Sequence, residues 1–123
     1  PVDTVVPLNK IADFVEYIDV LSQETSVRII AFGHAGDGNV HLCVLKDDID
    51  IEKWPEVLRE VLHKLYKKVY ELGGLLSAEH GIGKSKREFY LENTCPLERD
   101  LMLGVKKAFD EFNLLNPHDG YAL

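Results

Sequence analysis

A chain of 123 residues is long enough for one domain with a real core and too short for two comfortable ones. Its 21 acidic residues outweigh 14 basic ones, for a net charge of −7, which argues against nucleic acid as a partner because phosphate binding needs a basic surface. No apolar run approaches the roughly 20 residues that span a bilayer. No signal peptide is visible, and two distant cysteines, Cys43 and Cys95, make no disulfide framework, so a reducing, cytoplasmic setting is expected. The opening Pro1-Val2-Asp3, with no initiator Met, suggests a piece of a longer protein.

In chain order, Thr4-Val5-Val6-Pro7 reads as a short strand that Pro7 ends. Asn9 is a plausible N-cap for a helix whose apolar residues Ile11, Phe14, Val15, Ile18 and Leu21 follow helical spacing. Val27 to Phe32 and Val40 to Leu45 are β-branched, apolar runs, and the glycine-rich stretch between them is a hairpin loop. Trp54, Val57, Leu58, Val61, Leu62, Leu65, Val69 and Leu72 make the cleanest helical stripe, stopped by Gly73-Gly74. Leu75 to Ala78 then predicts a short strand leading into Glu79-His80. The order is that of an α+β, ferredoxin-like βαββαβ fold: an antiparallel sheet with helices on one face. A C-terminal helical extension is predicted from near Pro96, using Leu97, Leu101, Val105, Ala108 and Phe112, and stopping at Asn116-Pro117.

Two segments concentrate the chemistry. In Gly33-His34-Ala35-Gly36-Asp37-Gly38-Asn39-Val40-His41, two imidazoles flank the loop, and a hairpin brings such positions close enough to share one divalent ion. A plain turn with two incidental histidines uses the same residues. In Ser77-Ala78-Glu79-His80-Gly81-Ile82-Gly83-Lys84, Glu79 would complete a His-His-Glu set suited to zinc, manganese or iron, with positions left for substrate. His80 could then serve as a general base near neutral pH. The alternative is an exposed turn, and topology alone does not bring the hairpin tip to the end of the fourth strand.

Other candidates are weaker. Gly83-Lys84-Ser85 has Ala78 where a phosphate loop needs its first glycine, and no G-x-G-x-x-G follows a strand. Lys84, Lys86 and Arg87 form a basic cluster that reads as a solvated face or as an attractor for an anionic substrate. Cys43 lies two residues past His41 on the same strand face and reads as a small buried apolar residue. His63 and His118 have no ligand spacing to any other residue.

At GHAGDGNVH (33–41), SAEHGIGK (77–84) and FDEFNLLNP (109–117) the chain resembles the C-terminal cap domain of FAD-linked oxidases of the vanillyl-alcohol oxidase type. Within that family it is most similar to the group of the glycolate oxidase flavoprotein subunit, D-lactate dehydrogenase and D-2-hydroxyglutarate dehydrogenase. The resemblance runs along essentially the whole chain, 1–123, and implies that an N-terminal FAD-binding domain belongs to the same protein and lies outside this piece. It implies a flavin-dependent oxidation of a small anionic D-2-hydroxy acid, with hydride transfer to FAD and a divalent metal, zinc or manganese. By the same resemblance His34, His41 and Glu79 are metal ligands and His80 is the base. Asn39 and Lys84 are assigned to substrate, and Gly81 and Asn116 to the flavin.

Two departures stand out. The D-2-hydroxy acid dehydrogenases carry Asn where this chain has Cys43, and the family ending continues Gly-Lys where this chain reads His118-Asp119-Gly120. Further partners implied are an electron-acceptor protein or quinone, with a position peripheral to a membrane open to the full-length protein. An exposed sheet face in the isolated piece could also support a homodimer. The rival readings are a metal-binding module without redox chemistry and a purely structural ferredoxin-like domain.

Overall fold

The structure is a computed structural model that describes residues 2–117. In chain order the elements are β1 (Val2–Val5), a single 3-10 turn (Leu8–Lys10), α1 (Ile11–Thr25), β2 (Ile29–His34), β3 (Asn39–Val44), α2 (Trp54–Glu71), α3 (Arg87–Asn93) and α4 (Pro96–Phe109). They form two compact units, one through Glu79 and one from His80 onward.

The first unit is built on a three-stranded antiparallel sheet in the order β1-β3-β2. β3 is central: Val2 pairs with Leu42 and Thr4 with Val40 on one side, and Ile29 to His34 pair with Val44 to Asn39 on the other. Alternation along the strands puts Val2, Thr4, Val40 and Leu42 on one face, all buried. With them the core holds Phe14, Ile18 and Leu21 of α1 and Val61, Leu65 and Val69 of α2, each 0 or 1 % exposed. These residues repeat at three and four positions, the spacing that lays one stripe of each helix against the core.

The α+β class is that expected from the sequence, and three details differ. β1 begins at Val2, where it pairs with Leu42, and ends at Val5, because Val6 leaves the ladder and donates its N–H to the Gly38 carbonyl at 3.0 Å. Asn9 does not cap α1; it lies within the 3-10 turn, and the helix starts after Lys10 with no side-chain cap. The fourth strand of the ferredoxin-like order is reduced to one antiparallel bridge, Val5 with Leu75, on the free side of β1. Beyond it, the amides of Ala78 and Glu79 donate to the Asp3 carboxylate rather than to strand backbone, so the ladder ends there.

Two glycines make the hairpin possible. A Cβ at Gly33 would stand 2.2 Å from the Asn39 carbonyl oxygen, so only glycine lets the two strands close between the histidines. Gly38, at φ 80°, lies in the left-handed region and would bring a Cβ within 2.1 Å of the Val6 carbonyl oxygen. α2 stops as expected: Gly73 adopts φ 80° and the Gly74 N–H returns to the Val69 carbonyl at 2.8 Å.

The second unit contains the C-terminal helical extension, with one more helix than the sequence pattern indicated. α3 is seven residues long and buries Phe89 and Tyr90. α4 begins with Pro96 in its first turn, as expected, but none of its residues is buried, and Leu97, Leu101 and Val105 are exposed. Asp110 organises the turn that follows, accepting from the Leu114 N–H at 2.8 Å and the Leu115 N–H at 2.9 Å and pairing with Lys106. His118, Asp119 and Gly120 lie outside the described residues.

Candidate metal site on the open sheet face

The face of the sheet opposite the core carries a different set of residues. The register aligns Asp3, His41 and Phe32 in one row across β1, β3 and β2, and Val5, Asn39 and His34 in the next. His34 and His41 therefore share a face although six residues separate them. Their rings meet edge to face, with centroids 5.4 Å apart, and Phe32 lies against His41 at 5.3 Å.

Glu79 reaches the same place from the segment after Leu75. Its Oε1 lies 3.1 Å from His41 Nε2 and 3.9 Å from His34 Nε2. Two ligand atoms about 2.1 Å from one tetrahedral ion stand roughly 3.4 Å apart, and the two observed separations straddle that value. One donor atom from each of the three residues falls within 4.8 Å of the others. Two imidazoles and a carboxylate form the donor set of open, three-ligand zinc sites, and it suits manganese and iron as well. The residues present fit a divalent ion.

The two histidines sit in unlike surroundings. His41 is 6 % exposed, whereas the His34 side chain is 59 % exposed at the edge strand, where it joins Ile11, Val15 and Phe32 in lining a shallow groove. Behind His41, on the side away from Glu79, stands the fully buried Asp3, with Oδ1 3.6 Å from Nδ1. Its charge is felt nearby: burial first, and the Asp3 carboxylate next, push the Tyr66 hydroxyl above its ordinary range. Asp3 is the residue that sequence reasoning missed. Its signal was an acidic side chain inside a β-branched run, Val2-Asp3-Thr4-Val5, at a position whose neighbours are core.

The remaining candidates divide between the units. Asn39 belongs to the sheet face; it is 4 % exposed, and its Oδ1 has no hydrogen-bond partner among the described residues. Cys43 is on this face too, but is only half-buried, because its cross-strand partner Ile30 lies on the edge strand. His80, Gly81, Lys84 and Asn116 belong to the second unit, each exposed there. Gly81 at φ 71° and Asn116 at φ 47° both adopt the left-handed conformation, Gly81 in the turn that follows His80. Lys86 of the basic cluster is buried, so that cluster is not simply a solvated face.

Comparison with known proteins places the chain in a family. Residues 2–119 match the family described as FAD linked oxidases, C-terminal domain, and the chain belongs to that family. It is 41 % identical over 115 residues to a D-lactate dehydrogenase of Anaerostipes hadrus, covering 94 % of this chain and 24 % of that protein. A glycolate oxidase subunit of Bacillus subtilis is 38 % identical over 122 residues, 98 % of this chain and 25 % of its own length. A D-2-hydroxyglutarate dehydrogenase of Stutzerimonas stutzeri is 35 % identical over 118 residues, 94 % and 25 % of the two chains. The chain thus spans about a quarter of the length of these curated relatives. Among the described residues no helix is long and apolar enough to cross a membrane.

Proposed function

We propose that this domain completes the substrate pocket of a flavin-dependent dehydrogenase or oxidase of small D-2-hydroxy acids of the glycolate or D-lactate type. The observation that carries the reading is the convergence of His34, His41 and Glu79 from two strands and a separate segment. The names of the relatives supply the substrate class, and an N-terminal domain of the same protein would hold the FAD. The electrons would pass on to a protein or quinone acceptor, in a cytoplasmic or membrane-peripheral setting.

His34, His41 and Glu79 would hold a divalent ion, zinc or manganese. Such an ion would supply Lewis acidity to a substrate hydroxyl and a template for a neighbouring carboxylate. FAD, held by the N-terminal domain, would supply the hydride acceptor. The chain's own residues do the rest. His80 takes the hydroxyl proton, so that the 2-hydroxy acid leaves as a 2-oxo acid. Asn39, on the same sheet face as the two histidines, would contact the substrate, while Lys84 would attract the anionic carboxylate. Gly81 and Asn116 give backbone turns that approach the flavin without a bulky side chain or with left-handed geometry.

The test uses the full-length protein. Anaerobic mixing with glycolate, D-lactate or D-2-hydroxyglutarate should bleach the flavin, a chelator should abolish the bleaching, and added zinc or manganese should restore it. His80→Ala should lower turnover by about 10²–10⁴-fold with flavin still bound. Bleaching that survives both chelation and Glu79→Ala would remove the metal from the reading.

A further inference from the structure

We propose that Asp3 is the positioning residue of the metal site: one carboxylate oxygen anchors the segment that carries Glu79, and the other orients His41 for ligation through Nε2. The inference rests on the reading of His34, His41 and Glu79 as metal ligands.

Asp3 is fully buried on β1. A carboxylate taken out of water is costly unless charge partners and hydrogen bonds replace its solvation. At Asp3 the replacement is concentrated on one atom. Oδ2 accepts from the Ser77 hydroxyl at 3.0 Å, the Ala78 N–H at 2.8 Å and the Glu79 N–H at 3.1 Å. Those donors come from 74 to 76 residues further along the chain, and the last belongs to the ligand residue itself. The stretch from Ser77 to Glu79 lies outside any strand, so Asp3 supplies the fixation that a ladder would otherwise give.

The second oxygen has a different task. The register sets Asp3 directly opposite His41, and Oδ1 faces Nδ1 at 3.6 Å while Nε2 faces Glu79 at 3.1 Å. At 3.6 Å this is an electrostatic contact rather than a hydrogen bond. A negative charge there favours a proton on Nδ1 and so directs ligation to Nε2. Ligating histidines commonly carry such a carboxylate behind the ring, and losing it typically costs 10–100-fold in metal affinity. One buried side chain thus couples the two halves of the site, which arrive from the central strand and from the last residues of the first unit.

Two substitutions separate the tasks. In Asp3→Asn the three donors at Oδ2 require an acceptor, so the amide oxygen stays with the segment and the NH2 group is turned towards His41 Nδ1. There it opposes the Nδ1 proton. Asp3→Ala removes both functions. Zinc titration of the full chain, measured by competition with a chromophoric chelator, should give an affinity about 10–100-fold weaker in Asp3→Asn than in wild type. Hydrogen exchange at the Ala78 and Glu79 amides should stay near wild type in Asp3→Asn and accelerate at least about tenfold in Asp3→Ala. A purely structural Asp3 would not separate the two readouts in this way.

Wild-type zinc affinity in Asp3→Asn overturns the orienting role, and unchanged amide exchange in Asp3→Ala overturns the anchoring role. Absence of zinc uptake by the wild-type chain overturns the metal reading itself and the orienting role with it. Amide exchange then decides the anchoring role alone.

Discussion

β2 and β3 are the two arms of one hairpin, yet they hold their histidines in opposite ways. β3 is central, and Asn39 through Leu42 are all buried. β2 lies at the edge of the described sheet, and from Ile30 to His34 every residue is exposed. His41 is therefore both a candidate ligand and a piece of the interior, with Phe32 on one side and Asp3 on the other. His34 is a ligand candidate that the fold can do without. A site built in this way combines a rigid half, which fixes geometry, with an accessible half, which leaves room for a substrate to approach. Pre-organised groups on a supported strand are held more exactly than groups on an edge or loop.

That contrast can be broken most sharply at His41. His41→Ala should destabilise the chain by about 2–4 kcal/mol, because it removes buried packing and leaves the Asp3 carboxylate facing a void. The midpoint of a urea transition reports it. His34→Ala should change the same midpoint by no more than about 0.5 kcal/mol, since the side chain is exposed, while zinc uptake falls by at least about tenfold. Equal losses of stability from the two substitutions would erase the distinction between the arms.

The smallest effect lies at the far end of the hairpin. There Arg28, just before β2, clamps Asp47, beyond β3, with Nε to Oδ2 at 2.9 Å and Nη2 to Oδ1 at 2.6 Å. Hydrogen bonds from the Arg28 guanidinium hold the Asp47 carboxyl below its ordinary range. A carboxyl depressed in the folded state stabilises above its unfolded pKa of about 3.9, and that contribution is lost as pH falls through the folded value. Asp47→Asn should therefore flatten only the acid limb of the stability profile below about pH 4, with no effect on zinc uptake. An NMR titration of the Asp47 carboxyl with its midpoint at or above 3.9 would remove the clamp from the account.

Much of this organisation is written locally. The stripe from Trp54 to Leu72 and the Gly73-Gly74 stop give α2 with little ambiguity, because helical periodicity and the left-handed glycine are short-range properties. The hairpin and its two histidines are equally local: glycine at 33 is needed for its own two strands to close, whereas Gly38 also makes room for the Val6 carbonyl. α3 escaped the pattern because seven residues with two buried aromatics provide less than two full helical repeats. The missing fourth strand escaped for another reason. Leu75 to Ala78 has strand-like composition, but only Leu75 pairs with β1, and the Ala78 and Glu79 amides are claimed by a side chain more than seventy residues earlier.

The sequence by itself determined α1, α2, α4 and the hairpin, the segments dense in histidine and glycine, and the family to which the chain belongs. These depend on neighbours a few positions apart or on long motifs in order. Only the tertiary structure decided that Glu79 meets His41 and His34, that one histidine is buried and the other exposed, and that Asp3 stands behind the buried one. Those facts depend on strand register and on which strand lies at the edge. A shift of one residue along β1 would keep its local composition and put Thr4, not Asp3, opposite His41.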